Sequence, residues 1–389
     1  MNTRERFLSL MSFEPGQRSM RWEFGYWAAT IKRWYDEGLP PKRPMPDDLT
    51  GGDGVRGEAT GWYSRDWEFH DLDVHDALGF DDAIRRATFN NYLCPRFETQ
   101  VLEDHGDWQL VRGADGVTQR AWKNHTSLPD FVSFPVQTRD DWERLKAERL
   151  RPTLEGRLPA NWQQLVAEYR NRDYPLAIGG GQGFFGTPRR LVGPENLLMG
   201  FYDDPDLIHA IVDDLADFWI ALYDQVLAQV GPCDLGLIWE DMSYKAGPMI
   251  SPATFREFLT PAYRKLTGFW RDHGVRNVWV DTDGDCWKLI PLLIEGGVTG
   301  VYPMEVRAGM NVVEVRRAFP RLQIMGGIDK TQIAAGPAAI DEELAKVPEM
   351  LRQGGYIPYI DHYVPPDISW DNFVYYRRRL AEMIQERFT

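Results

Sequence analysis

Three aspartates follow a short apolar run in the stretch NVWVDTDGDCW, residues 277–287. Asp281 and Asp283 are two positions apart, so in an extended strand their side chains point to the same face. Two carboxylates on one face can hold a cation or exchange a proton with a ligand. They can equally cap a turn, because an aspartate side chain readily accepts a hydrogen bond from a nearby backbone N–H group. The spacing leaves both interpretations open.

Similar polar endings follow several predicted strands in the second half of the chain. They are Glu240-Asp241, Asp281 with Asp283, Glu305, Asp329-Lys330 and Asp361-His362. The carboxyl ends of parallel strands meet at one end of a barrel, where active sites are built. Polar residues also follow strands in ordinary loops, so a single ending of this kind is weak support for a site. Several such endings together favour a common site.

Four of these side chains suit a metal ion. Glu240, Asp281 and Asp283 offer carboxylate oxygens, and His362 offers an imidazole nitrogen. This set suits Zn²⁺ or, with so many oxygens, Mn²⁺ or Fe²⁺. In that interpretation Glu240, Asp281 and His362 also act as catalytic residues. The alternatives are turn-capping aspartates with a locally bonded histidine, or an acid–base pair formed by Asp361 and His362.

Further residues are candidates for substrate binding. Tyr244, Lys245 and the pair Arg189-Arg190 are expected to anchor a substrate anion. A solvated surface position is the commoner fate of any one such side chain. Glu305 is expected to shape the substrate opening at the carboxyl ends of the strands.

The elements that would position these residues alternate between strand and helix. Strands are predicted at 174–181, 234–241, 277–283, 299–305, 322–329 and 355–362, with SMRWEFGYW (19–27) as an earlier one. Amphipathic helices are predicted at 204–230 and 251–274. They open with Asp204-Pro205 and Ser251-Pro252, the N-cap and first-position proline of a helix start. Alternation implies parallel strands, and successive units without a long break favour a closed (β/α)8 TIM barrel.

The region of about residues 50–150 interrupts this alternation. Residues 107–122, DWQLVRGADGVTQRAW, have the pattern of a β-hairpin with Asp115-Gly116 at its turn. We predict one α/β barrel domain over 1–389, with an N-terminal extension and this region as an antiparallel insertion or lid.

A glycine-rich loop, GGGQGFFG at residues 179–186, contains G-x-G-x-x-G after a predicted strand. This matches part of a dinucleotide-binding fingerprint. The acidic residue about twenty positions further on, Asp204, begins a helix instead of ending a strand, which argues against a dinucleotide. A loop whose backbone closely approaches a ligand fits better.

The composition excludes several function classes. A formal net charge of −14 argues against nucleic acid and anionic membranes as partners, because both bind Lys/Arg-rich faces. No run approaches the ~18 apolar residues of a membrane span. Three scattered cysteines form no disulfide framework. The expectation is a cytoplasmic protein with a substantial apolar core.

Three sequence blocks resemble the uroporphyrinogen decarboxylase superfamily. They are NTRERFLSLMSFEPGQRSMRWEF near the start, GPMISPATFREFLTPAYRK (247–265) and GGYIPYIDHYVPPDISWDNF (354–373). The resemblance implies a (β/α)8 barrel with one of two activities, porphyrinogen decarboxylation or zinc-dependent methyl transfer with corrinoid proteins. The decarboxylase branch has an arginine-rich R-Q-A-G-R motif near its start. The matching region here, RWEFGYWAATIKRW, lacks that motif.

The methyltransferase branch holds zinc with an H-x-C-G motif and a late cysteine. By this resemblance, the H-x-C positions fall on residues 281–283, and the late cysteine falls on His362. A further acidic metal contact matches Glu240 or Asp241. Hard ligands therefore stand where the family has soft ones. The resemblance implies methyl transfer from oxygen or nitrogen more readily than methylation of a thiol.

Together these patterns predict a metal-dependent methyltransferase that acts between a small O- or N-methylated compound and a corrinoid (cobalamin) on a partner protein. The runner-up is a metal-independent decarboxylase or lyase of a non-porphyrin carboxylate, with Arg189 and Arg190 binding the anion. A non-catalytic protein that docks a corrinoid partner is a third alternative. Superfamily members are often dimers, so the resemblance also implies a homodimer.

Overall fold

Helices and strands alternate over most of the protein, whose computed structural model describes residues 1–42, 71–123 and 130–385. The strands, numbered along the chain, are β1 (Arg85–Arg86), β2 (Gln100–Asp104), β3 (Trp108–Arg112), β4 (Thr118–Trp122), β5 (Asp130–Ser133), β6 (Leu176–Gly179), β7 (Leu235–Trp239), β8 (Ser243–Tyr244), β9 (Gly247–Pro248), β10 (Asn277–Asp281), β11 (Gly300–Tyr302), β12 (Gln323–Met325) and β13 (Tyr356–Ile357). The helices are α1 (Thr3–Met11), α2 (Ala28–Asp36), α3 (Asp71–Leu78), α4 (Arg139–Arg149), α5 (Trp162–Arg170), α6 (Gly186–Val192), α7 (Pro194–Asp203), α8 (Pro205–Val230), α9 (Pro252–Thr254), α10 (Thr260–Asp272), α11 (Ile290–Glu295), α12 (Val312–Ala318), α13 (Lys330–Ala335), α14 (Pro337–Leu344), α15 (Val347–Gln353) and α16 (Trp370–Gln385). A π-helical turn covers Phe255–Leu259, and a 3₁₀ turn covers Val306–Ala308.

Seven strands form a curved parallel sheet in the order β1-β6-β7-β10-β11-β12-β13. The six strands predicted in the second half of the chain are all present in it, each shorter than its predicted segment. The order in the sheet follows the order in the chain, with helical crossovers between neighbours, as parallel pairing requires. The prediction of an α/β fold with a parallel sheet is therefore confirmed.

The two faces of this sheet bury different clusters, because neighbouring strand residues point to opposite faces. Leu237 and Trp279 face an inner cluster, whereas Ile238 and Val280 face the core beneath the helices. Helix α1 covers the amino ends of the strands, where Arg4 pairs with Asp234 at 2.9 Å just before β7. The carboxyl ends of the strands are the opposite end of the sheet.

The two predicted helix starts are confirmed. The side chains of Asp204 and Ser251 each accept a hydrogen bond from the backbone N–H three residues on, at 3.1 and 3.0 Å. The predicted helix 251–274 is not one continuous α-helix, because a π-helical turn separates α9 from α10. Pro261 explains the interruption, since proline lacks an N–H and its ring clashes with the carbonyl four residues earlier. Within the described ranges, no helix combines the length and apolar character needed to cross a bilayer.

The earliest predicted strand, residues 19–27, lies extended beside the last strand of the sheet. It pairs there through one parallel bridge, Tyr26 to Val364, instead of a continuous ladder. The carboxylate of Glu23 accepts a hydrogen bond from the backbone N–H of Ile360 at 2.9 Å. A side chain therefore takes the place of a backbone partner at this point.

Strands β2 to β5 form a separate four-stranded antiparallel sheet in chain order. Strands β3 and β4 pair across the Asp115-Gly116 turn, with Trp108 opposite Trp122. Of the insertion predicted at about 50–150, residues 50–70 and 124–129 lie outside the described residues.

The buried Glu23, within residues 19–27, makes folding stability depend on pH. Glu23 is fully buried, and its carboxylate lies 3.1 Å from Arg377 Nη1. Burial raises the pKa of Glu23 to about 7, although the charge of Arg377 opposes the shift. Folded Glu23 thus keeps a proton that the unfolded chain releases near 4.5. We expect the free energy of unfolding to fall by up to about 3 kcal/mol as the pH rises between these values.

Urea titrations of the wild type and Glu23→Gln at about pH 5 and pH 8 measure this dependence. The glutamine cannot titrate, so the variant should lose less stability across the interval. Equal losses in the two proteins would show that Glu23 is not the responsible group.

Candidate functional site

The acidic stretch after β10 lies at the carboxyl end of the sheet. Asp281, the last residue of β10, lies on the inner face, because its neighbour Val280 faces the outer core. Burial and the charges of Asp283 and Asp241 raise the pKa of Asp281 well above its ordinary value. The neutral, protonated carboxyl is therefore favoured, and this group can donate a proton.

Asp241 lies beside Asp281 in a strained backbone conformation. Its φ is 46°, in the left-handed region that non-glycine residues rarely adopt. Arg189 holds it with two hydrogen bonds, from Nη1 to the Asp241 carbonyl at 2.7 Å and from Nη2 to its carboxylate at 2.8 Å. Such strain persists only where surrounding contacts enforce it, and it clusters at functional sites. Arg189, predicted to bind a substrate anion, thus contacts a protein carboxylate instead.

Asp283 and His362, from the segments that follow β10 and β13, come together at the carboxyl end of the sheet. This region around Asp281, Asp283 and His362 is called the opening. His362 Nε2 lies 3.4 Å from Asp283 Oδ2. Burial lowers the pKa of His362, but the neighbouring Asp283 carboxylate outweighs it, and the net shift is upward. Gly284, with φ of 73°, keeps the loop in place, because a Cβ there would lie 2.6 Å from the carbonyl oxygen of Ser243.

A second charged group lies next to this pair. Lys330 Nζ is 3.6 Å from Asp361 Oδ1 and 3.7 Å from Glu305 Oε1. Glu305 also accepts a hydrogen bond from the Gly284 N–H at 2.8 Å, which connects this group to the Asp283 loop. Burial raises the pKa of Asp361, and the charge of Lys330 opposes that shift. Asp361 faces Lys330 and not His362, so the alternative acid–base pair does not form.

Aromatic rings line the opening. The Phe24 ring centroid is 5.4 Å from that of His362 and 5.1 Å from that of Tyr363. Tyr359 stacks on Phe24 at 6.0 Å, and its buried hydroxyl has no hydrogen-bond partner in the part of the chain that the structure describes. Sequence reasoning missed Tyr359 and Tyr363. The available signal was that both flank the Asp361-His362 ending.

Glu240 does not join this group, contrary to its predicted roles as metal ligand and catalytic residue. It is fully buried, and it accepts hydrogen bonds from the backbone N–H groups of residues 184–186 at 2.6 to 2.9 Å and from the Tyr263 hydroxyl. Both carboxylate oxygens are therefore engaged at the start of α6. A carboxylate is favourable there because the helix dipole is positive at that end. The same N–H groups would bind a dinucleotide pyrophosphate, so Glu240 also explains why the glycine motif is not a dinucleotide site.

Tyr244 and Lys245, predicted to contact the substrate, lie on the β8–β9 hairpin beside the opening. The Tyr244 side chain is 61% exposed, and Lys245 is also exposed. The backbone of Tyr244 accepts a hydrogen bond from the Asp285 N–H at 2.9 Å. Asp285 in turn caps a local turn, accepting from the Trp287 N–H at 3.0 Å. The hairpin therefore supports the aspartate loop while the two predicted side chains face solvent.

Asp283 and His362 have the spacing of two metal ligands. Their separation of 3.4 Å exceeds the roughly 2.7–2.9 Å of a charge-assisted hydrogen bond. Two ligands that are each about 2.1 Å from a tetrahedral Zn²⁺ lie about 3.4 Å apart. In the described ranges, no group of three or more His, Cys, Asp or Glu side chains is arranged to hold a metal ion.

The chain is similar to known proteins of one family. The uroporphyrinogen decarboxylase (URO-D) family model matches residues 119–381, about two thirds of the chain. A uroporphyrinogen decarboxylase of Pseudomonas putida is 27% identical over 177 residues, which cover 43% of this chain and 46% of that protein. A methylated-thiol–coenzyme M methyltransferase of Methanosarcina mazei is 30% identical over 114 residues, 29% of each chain. The matched stretches thus span less than half the length of these relatives.

A solved structure supports the same fold. A methyltransferase from Methanosarcina mazei superposes over 100% of both chains with a TM-score of 0.56 and 14% sequence identity. At this identity the match shows a shared fold only. The family match over most of the chain and the shared fold agree with the resemblance found in the sequence blocks. The chain belongs to the uroporphyrinogen decarboxylase family.

Proposed function

We propose that this protein transfers a methyl group between a small O- or N-methylated compound and a corrinoid carried by a partner protein. The observation that carries the proposal is the grouping of Asp281 with the Asp283–His362 pair at the carboxyl end of the sheet, where aromatic rings pack around His362. The relative named as a methyltransferase supports this chemistry within the family. In this proposal the curved sheet and residues 19–27 form a closed (β/α)8 barrel, and its carboxyl end is the substrate opening.

Asp281 acts in this proposal as the proton donor. The bond between the methyl carbon and the oxygen or nitrogen breaks, the electron pair stays on the heteroatom, and the Asp281 proton neutralises it. A reduced corrinoid, when docked, supplies the nucleophile that accepts the methyl group. Phe24 and Tyr363 exclude water from the opening. Lys330 and Glu305 orient the substrate at its edge.

A divalent metal is the proposed cofactor, with zinc first and manganese or iron as alternatives. Asp283 and His362 would hold it, because their donor atoms have the spacing of neighbouring ligands. Bound there, it would polarise the heteroatom that carries the methyl group. In this proposal Asp281, which the sequence also predicted as a ligand, acts as the proton donor.

Metal analysis of protein purified without chelator tests the cofactor. We expect near-stoichiometric metal in the wild type and strong depletion in Asp283→Ala and His362→Ala, because each variant removes one of the paired ligands. Asp285→Ala is the matched control, since Asp285 lies in the same loop but caps a turn. Equal metal in all four proteins, or none in the wild type after reloading, would overturn the metal site.

Methyl transfer is tested by the absorbance of reduced cobalamin on addition of the enzyme with methyl ethers, methylamines or methyl thioethers. We expect a change with an ether or amine. Absence of any change across all three classes would count against the proposed function.

Decarboxylation of a non-porphyrin carboxylate without a metal is the second candidate. The protonated Asp281 favours it, because loss of CO₂ leaves an electron pair on carbon that takes up a proton. The Pseudomonas putida relative is named a decarboxylase. This candidate predicts CO₂ release that survives chelation, whereas metal-dependent methyl transfer is lost.

A further inference from the structure

A cavity of about 740 Å³ lies between the ends of β1 and β6 and the antiparallel sheet. Its walls include the backbone of Gly179–Gly181 and the side chains of Arg86, Arg96 and Arg190. Amide side chains supply much of the remaining polar lining. Pockets of about 300–1,000 Å³ hold small organic molecules. The cavity therefore has the size of a ligand site.

The charge of this cavity is positive, although the whole chain carries −14. Three guanidinium groups line it against one carboxylate, Asp115. That carboxylate already accepts a hydrogen bond from the Val117 N–H at 3.1 Å. The guanidinium groups of Arg96 and Arg190 form no hydrogen bond or ion pair with any described residue. An anionic ligand would complement both.

An aromatic ring completes the wall of this cavity. Tyr92 lines the cavity, and only 9% of the residue is exposed. Its hydroxyl is buried in the protein and has no hydrogen-bond partner among residues 1–42, 71–123 and 130–385. A ligand in the cavity would therefore contact the Tyr92 ring, and its charge would be held by the arginines.

Trp239 lies between an arginine of the cavity wall and an arginine of the aspartate site. The Arg190 guanidinium lies 4.2 Å from the Trp239 ring centroid, and that of Arg189 lies 5.1 Å from it. Arg189 is bonded to Asp241 at the opening, whereas Arg190 lines the cavity. Arg189 at the aspartate site and Arg190 in the cavity wall thus both contact the ring of Trp239.

The contacts favour a carboxylate over a phosphate. Backbone N–H groups at a helix start are the common phosphate cradle. At α6 they already bind the Glu240 carboxylate. What remains are planar guanidinium groups, which bind the two oxygens of a carboxylate without needing a backbone cradle.

We propose that the pocket formed by Arg86, Arg96, Arg190 and Tyr92 binds the carboxylate of an organic substrate whose reacting group lies at Asp281. That the ligand is the substrate rests on the proposed function, whereas carboxylate binding by the pocket does not. The substrate class is then a small methylated compound that also carries a carboxylate.

Isothermal titration calorimetry of the purified chain tests the pocket directly. The probes are glutarate, its neutral diamide and inorganic phosphate. We expect the wild type to bind glutarate, to bind phosphate more weakly, and not to bind the diamide. Arg190→Gln and Arg96→Gln should each weaken glutarate binding by about tenfold or more, as loss of a charge-assisted hydrogen bond predicts.

Arg120→Gln is the matched control, because Arg120 lies on β4 but does not line the cavity. Unchanged affinity in Arg190→Gln, or no glutarate binding by the wild type, would overturn the proposal. So would phosphate binding as tight as that of glutarate, because it would make the pocket a phosphate site.

The outcomes separate this proposal from the proposed function. Glutarate binding that depends on Arg190, without methyl transfer to cobalamin, would leave the pocket in place and remove the function. Methyl transfer with the same kinetics in the wild type and Arg190→Gln would keep the function and remove the pocket as the substrate site.

Discussion

Replacing Asp281 by asparagine is expected to slow methyl transfer by about 10²–10⁴-fold, the usual contribution of a positioned proton donor. Asparagine has the shape of the neutral carboxyl that the buried, acidic surroundings of Asp281 favour. It cannot give a proton to the departing oxygen or nitrogen. Steady-state rates with reduced cobalamin and the best methyl donor measure the effect.

The pH dependence gives this prediction a second readout. Because Asp281 has a raised pKa and acts while protonated, the wild-type rate should fall as the pH rises through that pKa. The residual rate of Asp281→Asn should lack this decline. At neutral pH the variant should be at least as stable as the wild type, because it cannot become a buried charge. Below the ordinary value of 3.8 both side chains are neutral, and the difference should vanish.

Asp285→Asn is the matched control for the rate, since it makes the same change at the turn-capping position of the loop. Its rate should stay within about twofold of the wild type, as expected for a substitution away from the reacting atoms. A wild-type rate in Asp281→Asn would exclude Asp281 as the proton donor. The decarboxylase candidate would then lose its proton donor as well.

Replacing Glu240 by alanine is expected to lower the free energy of unfolding by at least about 3 kcal/mol. The substitution removes the acceptor for the N–H groups of residues 184–186 and for the Tyr263 hydroxyl. These donors are buried, so each one left without a partner is costly. Urea unfolding followed by circular dichroism measures the loss.

Two companion variants make this test decisive even where the alanine variant does not fold. Glu240→Gln keeps the shape but turns an amide N–H toward backbone donors, so a loss of about 1–3 kcal/mol is expected. Glu257→Ala, at an exposed glutamate on the π-helical turn, should change stability by less than about 0.5 kcal/mol. If Glu240→Ala cost less than about 1 kcal/mol and also lost bound metal, Glu240 would return to the metal site.

The repeating elements were predictable because their signals are local. Alternating apolar runs and helix-start residues lie within a few positions of one another, and they located the parallel strands and both N-caps. Strand ends were overestimated, because polar residues such as Asp283 continue the extended pattern after the ladder stops. The edge at residues 19–27 was not predictable, since the Glu23 carboxylate pairs with a residue 337 positions away.

The candidate site was likewise predictable only in part from the sequence. The residue types at strand ends drew attention to Asp281, Asp283 and His362 before any geometry was known. The same reasoning grouped Glu240 with them, because Glu240 ends the preceding strand. Its position in the sequence does not show which side of the strand end its side chain faces. Only folding brings Glu240 to the loop more than fifty residues before it. Sequence reasoning named Arg190 and the glycine loop as ligand contacts but could not assemble the arginine cavity, since its walls come from segments scattered from residue 86 to 190.

The amino-acid sequence by itself determined that three aspartates stand where an inner strand ends, because strand period and apolar pattern are local properties. Tertiary structure decided what each one does. Asp281 is half-buried beside other carboxylates, which favours its neutral form, Asp283 meets His362, and Asp285 caps a turn. The physical reason is that the state of a carboxyl depends on its burial and on the charges around it. Those surroundings are assembled from strands far apart in the chain.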